Sequence, residues 1–297
     1  MKQKNFTFID LFAGCGGLSL GMEQAGFFPL YVNELNKDAL ETYLINREEE
    51  YPHLREPKFH SQDIKGCINQ KFFRELKSNL KNQFGSSEVD VICGGPPCQG
   101  FSGIGIRRSY SVDKEQLPSN HLFQDMSHFV HKMQPKIFLF ENVEGLLSAK
   151  WNKDGTKGEI FKQVLETFQG LKGYTVKYKL VHAKDYGVPQ NRPRILIVGI
   201  KSKLFKGLSD QVDAVLGGFL PQIIGDYPHL EEVFSDIIDS KFEYGGETKN
   251  YPSDPKNYWQ EQIRTTPQGK LLEKNDPMTE QEYSNHNPRT RAKFQAM

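Results

Sequence analysis

Cys98 stands in the run Gly94-Gly-Pro-Pro-Cys-Gln-Gly-Phe-Ser102, directly after the apolar stretch Val89–Cys93. That stretch reads as a short buried strand, which puts the thiol at a strand's carboxyl end on a stiff Pro-Pro turn. Open α/β sheets carry their chemistry at that edge. Pro96 and Pro97 fix the backbone ahead of the thiol, and the flanking glycines allow a close approach. A thiol so mounted suits nucleophilic attack, because cysteine offers usable thiolate near neutral pH. Taken alone, a cysteine in a tight turn is more often a small buried hydrophobe.

Other residues with chemistry in reach follow in the chain. Glu141 comes directly after Ile137-Phe-Leu-Phe140. A carboxylate in that place is costly unless it is paired, protonated or used; a hydrogen-bonded structural acid is the plainer alternative. Gln190-Asn-Arg192-Pro-Arg194 leads into the apolar run Ile195–Ile200. Two arginines beside a hydrophobic strand can lie on one face and bind a carbonyl oxygen or a phosphate, or form a surface ion-pair ladder. Between Ser102 and Asn120 the chain is rich in Gly, Ser and charge, without periodicity, and reads as a mobile loop. Its Arg107 and Arg108 can meet phosphates or touch nothing at all.

These residues need a scaffold. Phe6–Phe12 reads as a buried strand, Ala13–Gly17 as a glycine turn, and Leu18–Ala25 as the helix after it. Such a unit suits nucleotide binding, although Gly14, Gly16, Gly17 and Gly21 do not match the dinucleotide Gly-x-Gly-x-x-Gly spacing. A second strand, Pro29–Asn33, ends in Glu34, where an acid either accepts from ribose hydroxyls or precedes the helix starting near Lys37. Asp63, in His60-Ser-Gln-Asp-Ile64, reads alone as a turn or cap residue. Helices are expected over Asn69–Lys81, along the stripe Leu122–Met133, and along Ile160–Leu171, with a strand over Tyr174–Leu180. Beyond residue 200 the pattern weakens to a helix at Leu230–Ile238 and a loop-like stretch over Lys241–Pro277.

The chain of 297 residues has 37% hydrophobic and 25% charged content, as expected for a globular protein with a sizeable core. It shows no signal peptide and no apolar run long enough to span a membrane, which leads to a cytoplasmic expectation. Its four cysteines are too few for a disulfide scaffold, and Cys93 and Cys98 lack a second pair at zinc spacing, so no metal site is expected. Net charge is +1, but residues 201–297 hold 12 Lys and Arg against 15 Asp and Glu, leaving 26 against 22 for residues 1–200. The small positive excess lies with the half that carries Cys98, which is weak support for a polyanionic partner.

The run around Cys98 closely resembles the catalytic Pro-Cys-Gln signature of the DNA cytosine-5 methyltransferases. Phe8–Ser19, the acids Glu34 and Asp63, Glu141-Asn-Val143 and the Gln-x-Arg-x-Arg run at Gln190–Arg194 are similar to further elements of that family and stand in its order. The resemblance covers about Phe6–Ile200. It implies an α/β fold, a Rossmann-like S-adenosylmethionine-dependent methyltransferase with a mostly parallel central sheet and helices on both faces. Residues 1–200 would form the catalytic and cofactor domain, and 201–297 an extension into an incomplete target-recognition region, to whose opening Asn285-His286, Arg289 and Arg291 are similar.

The same resemblance implies the residue roles. Cys98 would attack carbon 6 of a flipped cytosine, Glu141 would hold a proton at ring nitrogen 3, and Arg192 and Arg194 would hold the base oxygen and the catalytic loop. S-adenosylmethionine would lie against Asp10, Phe12, Gly14, Gly16, Gly17 and Pro97, with Glu34 on its ribose and Asp63 on its adenine. Gln99, Ser102, Arg107, Arg108 and Gln190 would face double-stranded DNA. The base that removes the carbon 5 proton is not assigned. A microbial restriction-modification enzyme is the expected setting. The family's full sequence-reading domain and closing segment are not found after Arg291, so either a fragment or one chain of a two-polypeptide enzyme is expected. The alternatives are a transfer RNA cytosine-5 methyltransferase, a non-catalytic cofactor-binding subunit and, more remotely, a nicotinamide dehydrogenase.

Overall fold

The computed structural model describes residues 6–97, 118–205, 219–220, 222–223, 228–266 and 268–295. The chain forms two compact units. The first comprises Met1–His182 with Pro193–Gln222, and the second Ala183–Arg192 with Ile223–Met297.

The first unit is built on a seven-stranded sheet in the order β3-β2-β1-β4-β5-β7-β6. Its strands are β1 (Thr7–Leu11), β2 (Phe28–Asn33), β3 (His60–Ser61), β4 (Val91–Gly94), β5 (Ile137–Val143), β6 (Tyr174–His182) and β7 (Pro193–Lys201). β1 to β5 are mutually parallel, whereas β7 runs antiparallel to both β5 and β6. Strand order reverses between β1 and β4, and the crevice outside the carboxyl ends at such a point is where doubly wound sheets bind ligands.

Alternation along the strands decides which helix lies where. Ile9, Leu11, Ile92, Phe138, Phe140, Ile195 and Ile197 are all buried in one core with residues of α3 (Gln70–Phe84), α4 (Leu122–Met133) and α5 (Glu159–Gln169). The intervening Phe8, Val91 and Cys93 pack against Leu18 and Met22 of α1 (Gly17–Gln24), and Val32 against Leu40, Tyr43 and Leu44 of α2 (Lys37–Ile45). Helices therefore cover both faces, as the sequence resemblance implied. No helix among the described residues is long and apolar enough to cross a membrane, and no group of three His, Cys, Asp or Glu side chains there can hold a metal ion.

Two differences from the sequence reading have clear causes. β5 continues past Phe140 through Val143, because β7 pairs alongside it as far as Val143 opposite Arg194. Glu141 is thus itself a residue of the strand. In the second unit, the stretch read as a loop contains α7 (Tyr258–Arg264), between α6 (Leu230–Phe234) and α8 (Pro288–Gln295). The interior side of α7 is polar: Gln260 and Arg264 are both buried, so hydrophobic periodicity is no guide to it. Arg264 pairs with buried Asp236 at 2.6 Å, lies over the Tyr251 ring at 3.8 Å and donates to the Ser253 carbonyl at 2.9 Å.

Gly199 of β7 sits opposite Phe138, and a Cβ there would lie 2.0 Å from Cε1 of that fully buried ring. Gly199→Ala is expected to displace the ring and lower stability by about 1–3 kcal/mol. Urea denaturation checks this, and an unchanged midpoint would show that the core has room.

Candidate active site

The parallel register fixes which residues meet at the carboxyl edge. Leu11 pairs with Asn33 on one side and with Gly94 on the other, so the segments after β1, β2 and β4 leave the sheet side by side. Between them lies a cavity of about 210 Å³ lined by Phe12, Asn33, Glu34, Leu35, Gln62, Asp63, Ile64, Gly95, Pro97 and Leu122. Phe12, Glu34, Asp63 and Pro97 are therefore brought together as the sequence resemblance implied. Asn33, Leu35, Gln62, Ile64, Gly95 and Leu122 join them from positions that carried no sequence signal beyond their place in a strand, turn or helix.

The turn after β1 is built around backbone conformations that side chains resist. Phe12 has φ 59°, Gly14 φ 56° and Gly16 φ 92°. The Gly14 N–H donates to Glu34 Oε2 at 2.8 Å, and the Asn36 N–H donates to Glu34 Oε1 at 2.8 Å. Glu34 thus ties the turn to the start of α2, where Asn36 caps the helix by accepting from the Asp38 and Ala39 N–H groups. Each carboxylate oxygen has a second lone pair, and Glu34 lines the cavity, so acceptor capacity remains there. Asp63 accepts from the Lys65 N–H at 2.9 Å and stays exposed at the cavity. Gly16 is the N-cap of α1 and Gly17 its first residue.

Asp10 holds a different place. It is 1% exposed, accepts from Ser19 Oγ at 2.6 Å, and lies beneath the turn rather than in the cavity lining. Burial pushes its carboxyl up to about 7, against the opposing pull of the Ser19 and Cys93 hydrogen bonds and the Arg47 charge.

On the β4 side, Asn142 Nδ2 donates to the Pro96 carbonyl at 3.0 Å and is itself buried. This bond fixes the backbone two residues before Cys98 from the neighbouring strand. A Cβ on Gly95 would meet Glu141 Oε2 at 2.8 Å, so any larger residue there would displace the carboxylate. The other oxygen, Glu141 Oε1, is paired with Arg194 Nε at 2.6 Å, the side chains being 30% and 19% exposed. Of the three states open to an acid at this place, Glu141 adopts the paired one. Asn142 and Gly95 stand inside the runs quoted for Glu141 and Cys98, but their contacts, to the Pro96 carbonyl and to the Glu141 carboxylate, were not assigned from the sequence.

The remaining candidates are distributed otherwise. Gln190 and Arg192 belong to the second unit, both exposed, in a turn where the Arg192 N–H donates to the Gln190 carbonyl at 3.0 Å. Arg194 belongs to the first unit. Cys98, Gln99, Ser102, Arg107 and Arg108 lie outside the described residues.

The C-5 cytosine-specific DNA methylase family profile matches residues 6–295. Among curated proteins, the chain is 36% identical over 256 residues to the type II methyltransferase M.DdeI of Desulfomicrobium norvegicum, covering 86% of this chain and 54% of that protein. It is 32% identical over 270 residues to the type II methyltransferase M.AgeI of Thalassovita gelatinovora, covering 86% and 57%. It also resembles the crystal structure of a protein described as a DNA modification methyltransferase encoded within an E. coli prophage, with 27% identity and TM-score 0.57 over 85% of this chain and 61% of that one. The chain spans about half the length of the curated relatives it matches.

Because the folded-state carboxyl of Asp10 titrates above its unfolded value, its contribution to stability is present below about pH 4 and lost as pH rises through 7. The stability difference between wild type and Asp10→Asn is expected to shift against wild type by at most about 4 kcal/mol over that window. Thermal or urea unfolding at pH 4, 5.5 and 7.5 checks it, and a constant difference would contradict it.

Proposed function

The chain belongs to the C-5 cytosine-specific DNA methylase family, and on that premise we propose that it transfers a methyl group from S-adenosylmethionine to carbon 5 of cytosine in double-stranded DNA. The observation that carries this reading is the shared wall between two sites. Gly95 and Pro97 line the cavity that Phe12, Glu34 and Asp63 also line, and Gly95 lies against Glu141. The residue after Pro97 in the sequence is Cys98. A donor in the cavity and a base beside Glu141 would then meet at the segment that leads to the thiol.

The cavity suits S-adenosylmethionine on its own chemistry. Glu34 offers acceptors for ribose hydroxyls, Asp63 an acceptor for an exocyclic amine, and Phe12, Leu35, Ile64 and Pro97 apolar surface for a flat ring. The cofactor supplies an electrophilic methyl group. The chain supplies the rest. Cytosine carbon 5 is a poor nucleophile until a thiolate adds to carbon 6, and Cys98 fills that role. A proton shared between Glu141 and ring nitrogen 3 stabilises the charge that builds in the ring. Arg194 fixes the carboxyl through its 2.6 Å contact, and Arg192 serves the base oxygen. Carbon 5 takes the methyl group and then gives up its proton to solvent; that C–H electron pair restores the ring double bond and expels the Cys98 thiolate, and 5-methylcytosine leaves. The target base is reached by flipping, with Gln99, Ser102, Arg107, Arg108 and Gln190 on the DNA side. The family's DNA methylase character and its type II methyltransferase relatives favour DNA as the substrate and a restriction-modification setting.

The test is transfer of labelled methyl from S-adenosylmethionine to mixed-sequence duplex DNA, by the chain alone and together with a second polypeptide encoded beside it. Cys98→Ala is expected to abolish transfer with folding unchanged. Glu141→Gln is expected to lower kcat by about 100-fold or more. Transfer that survives Cys98→Ala, or that requires RNA, would overturn the reading.

A further inference from the structure

The glycine turn is clamped from below by Tyr43 of α2 and by Arg47 just beyond it. Arg47, just past the end of α2, is 6% exposed. Its Nη2 donates to the Gly16 carbonyl at 3.0 Å, its Nη1 to the Tyr43 carbonyl at 3.3 Å, and its Nε pairs with Glu23 of α1 at 2.6 Å. All three nitrogens are engaged, and the guanidinium lies over the Tyr43 ring at 4.0 Å. The Tyr43 hydroxyl meets Ser19 Oγ at 2.9 Å, and that oxygen donates onward to Asp10. A Cβ on Gly16 would lie 2.6 Å from Tyr43 Cδ2 and 2.7 Å from Arg47 Nη1, so both side chains press directly on the turn. From the other side, Glu34 holds the Gly14 N–H.

A turn carrying glycines at 14, 16 and 17 has more backbone freedom to lose than any other composition. A ligand that needs one shape of it binds more weakly unless something else imposes that shape. Planar Arg47 can hold a carbonyl, a carboxylate and an aromatic face together, which a lysine cannot. We propose that Arg47 and Tyr43 are positioning residues that preset the Gly14–Gly17 turn, and through it Phe12 and Glu34 of the cavity wall, for the methyl donor, Arg47 through the Gly16 carbonyl and Tyr43 through its ring and Ser19, without touching the donor. This inference rests on the reading of the cavity as the donor's site.

The experiment is isothermal titration of the full 297-residue chain with S-adenosylhomocysteine, together with kinetics on duplex DNA. The variant Glu23→Gln/Arg47→Met keeps volume and leaves no orphaned charge. It is expected to raise Kd about tenfold with a stoichiometry near one. The donor's KM should rise with it, while KM for DNA and kcat at saturating donor stay within about twofold of wild type. A merely structural role would instead lower stoichiometry and kcat together, with Kd unmoved. Tyr43→Phe, which removes only the hydroxyl, should raise Kd about threefold and keeps the test available if the double variant does not fold. A single Arg47→Lys is not expected to restore wild-type Kd. Wild-type binding with unchanged Kd in both variants would overturn the proposal alone, whereas failure of the wild-type chain to bind would overturn the cavity reading and the proposal with it.

Discussion

Everything at the carboxyl edge depends on the register of β1 between β2 and β4. With Leu11 opposite both Asn33 and Gly94, the three following segments emerge level with one another. Side chains alternate at every residue, so a slip of β1 by one would turn Ile9 and Leu11 away from the core under α3 and α4 and turn Phe8 and Asp10 towards it. Burial of the large apolar residues on one face therefore enforces the alignment that gives the cavity its walls. The chemistry is placed by hydrophobic packing several residues away.

Local devices refine what the register sets up. Glu34 spans from the β1 turn to α2 with one backbone N–H on each carboxylate oxygen, and charge-assisted bonds of that kind are stronger than neutral ones. Asn142 reaches from β5 to the Pro96 carbonyl, so the approach to Cys98 is braced by a strand as well as by its own prolines. The second unit follows another logic. Its buried Arg264 and Asp236 pair with each other, while buried Gln260 donates to the Glu232 carbonyl and to Ser235 Oγ; removing one partner of such a buried ion pair costs far more than the intact pair contributes.

Much of this was legible in the chain. The β1 turn and Glu34 were legible from short-range sequence, a strand followed by glycines and an acid at a strand end, whereas Asp63 and Pro97 were singled out only by the family resemblance, since Asp63 alone reads as a turn or cap residue. Glu141 was found as a carboxylate in an apolar context, although its partner Arg194 stands 53 positions away and only the pairing of β5 with β7 joins them. Arg47 was not found, because it acts on backbone carbonyls and such contacts leave no pattern in residue type; Asn142 and Gly95 stood in quoted runs, but their contacts were visible only in the fold. α7 was missed for a related reason: a helix whose inner face is Gln and Arg has no apolar stripe to detect.

The antiparallel course of β7 reaches further than sheet topology. A parallel strand would present its last residue at the carboxyl edge; β7 presents its first ones, and so Arg194 arrives at Glu141 straight from the ten-residue segment Ala183–Arg192. That segment belongs to the other compact unit while both strands flanking it belong to this one. Substitution or lengthening within it can thus change the chain that leads into Arg194 while the pairings of β7 with β5 and β6 stay as they are.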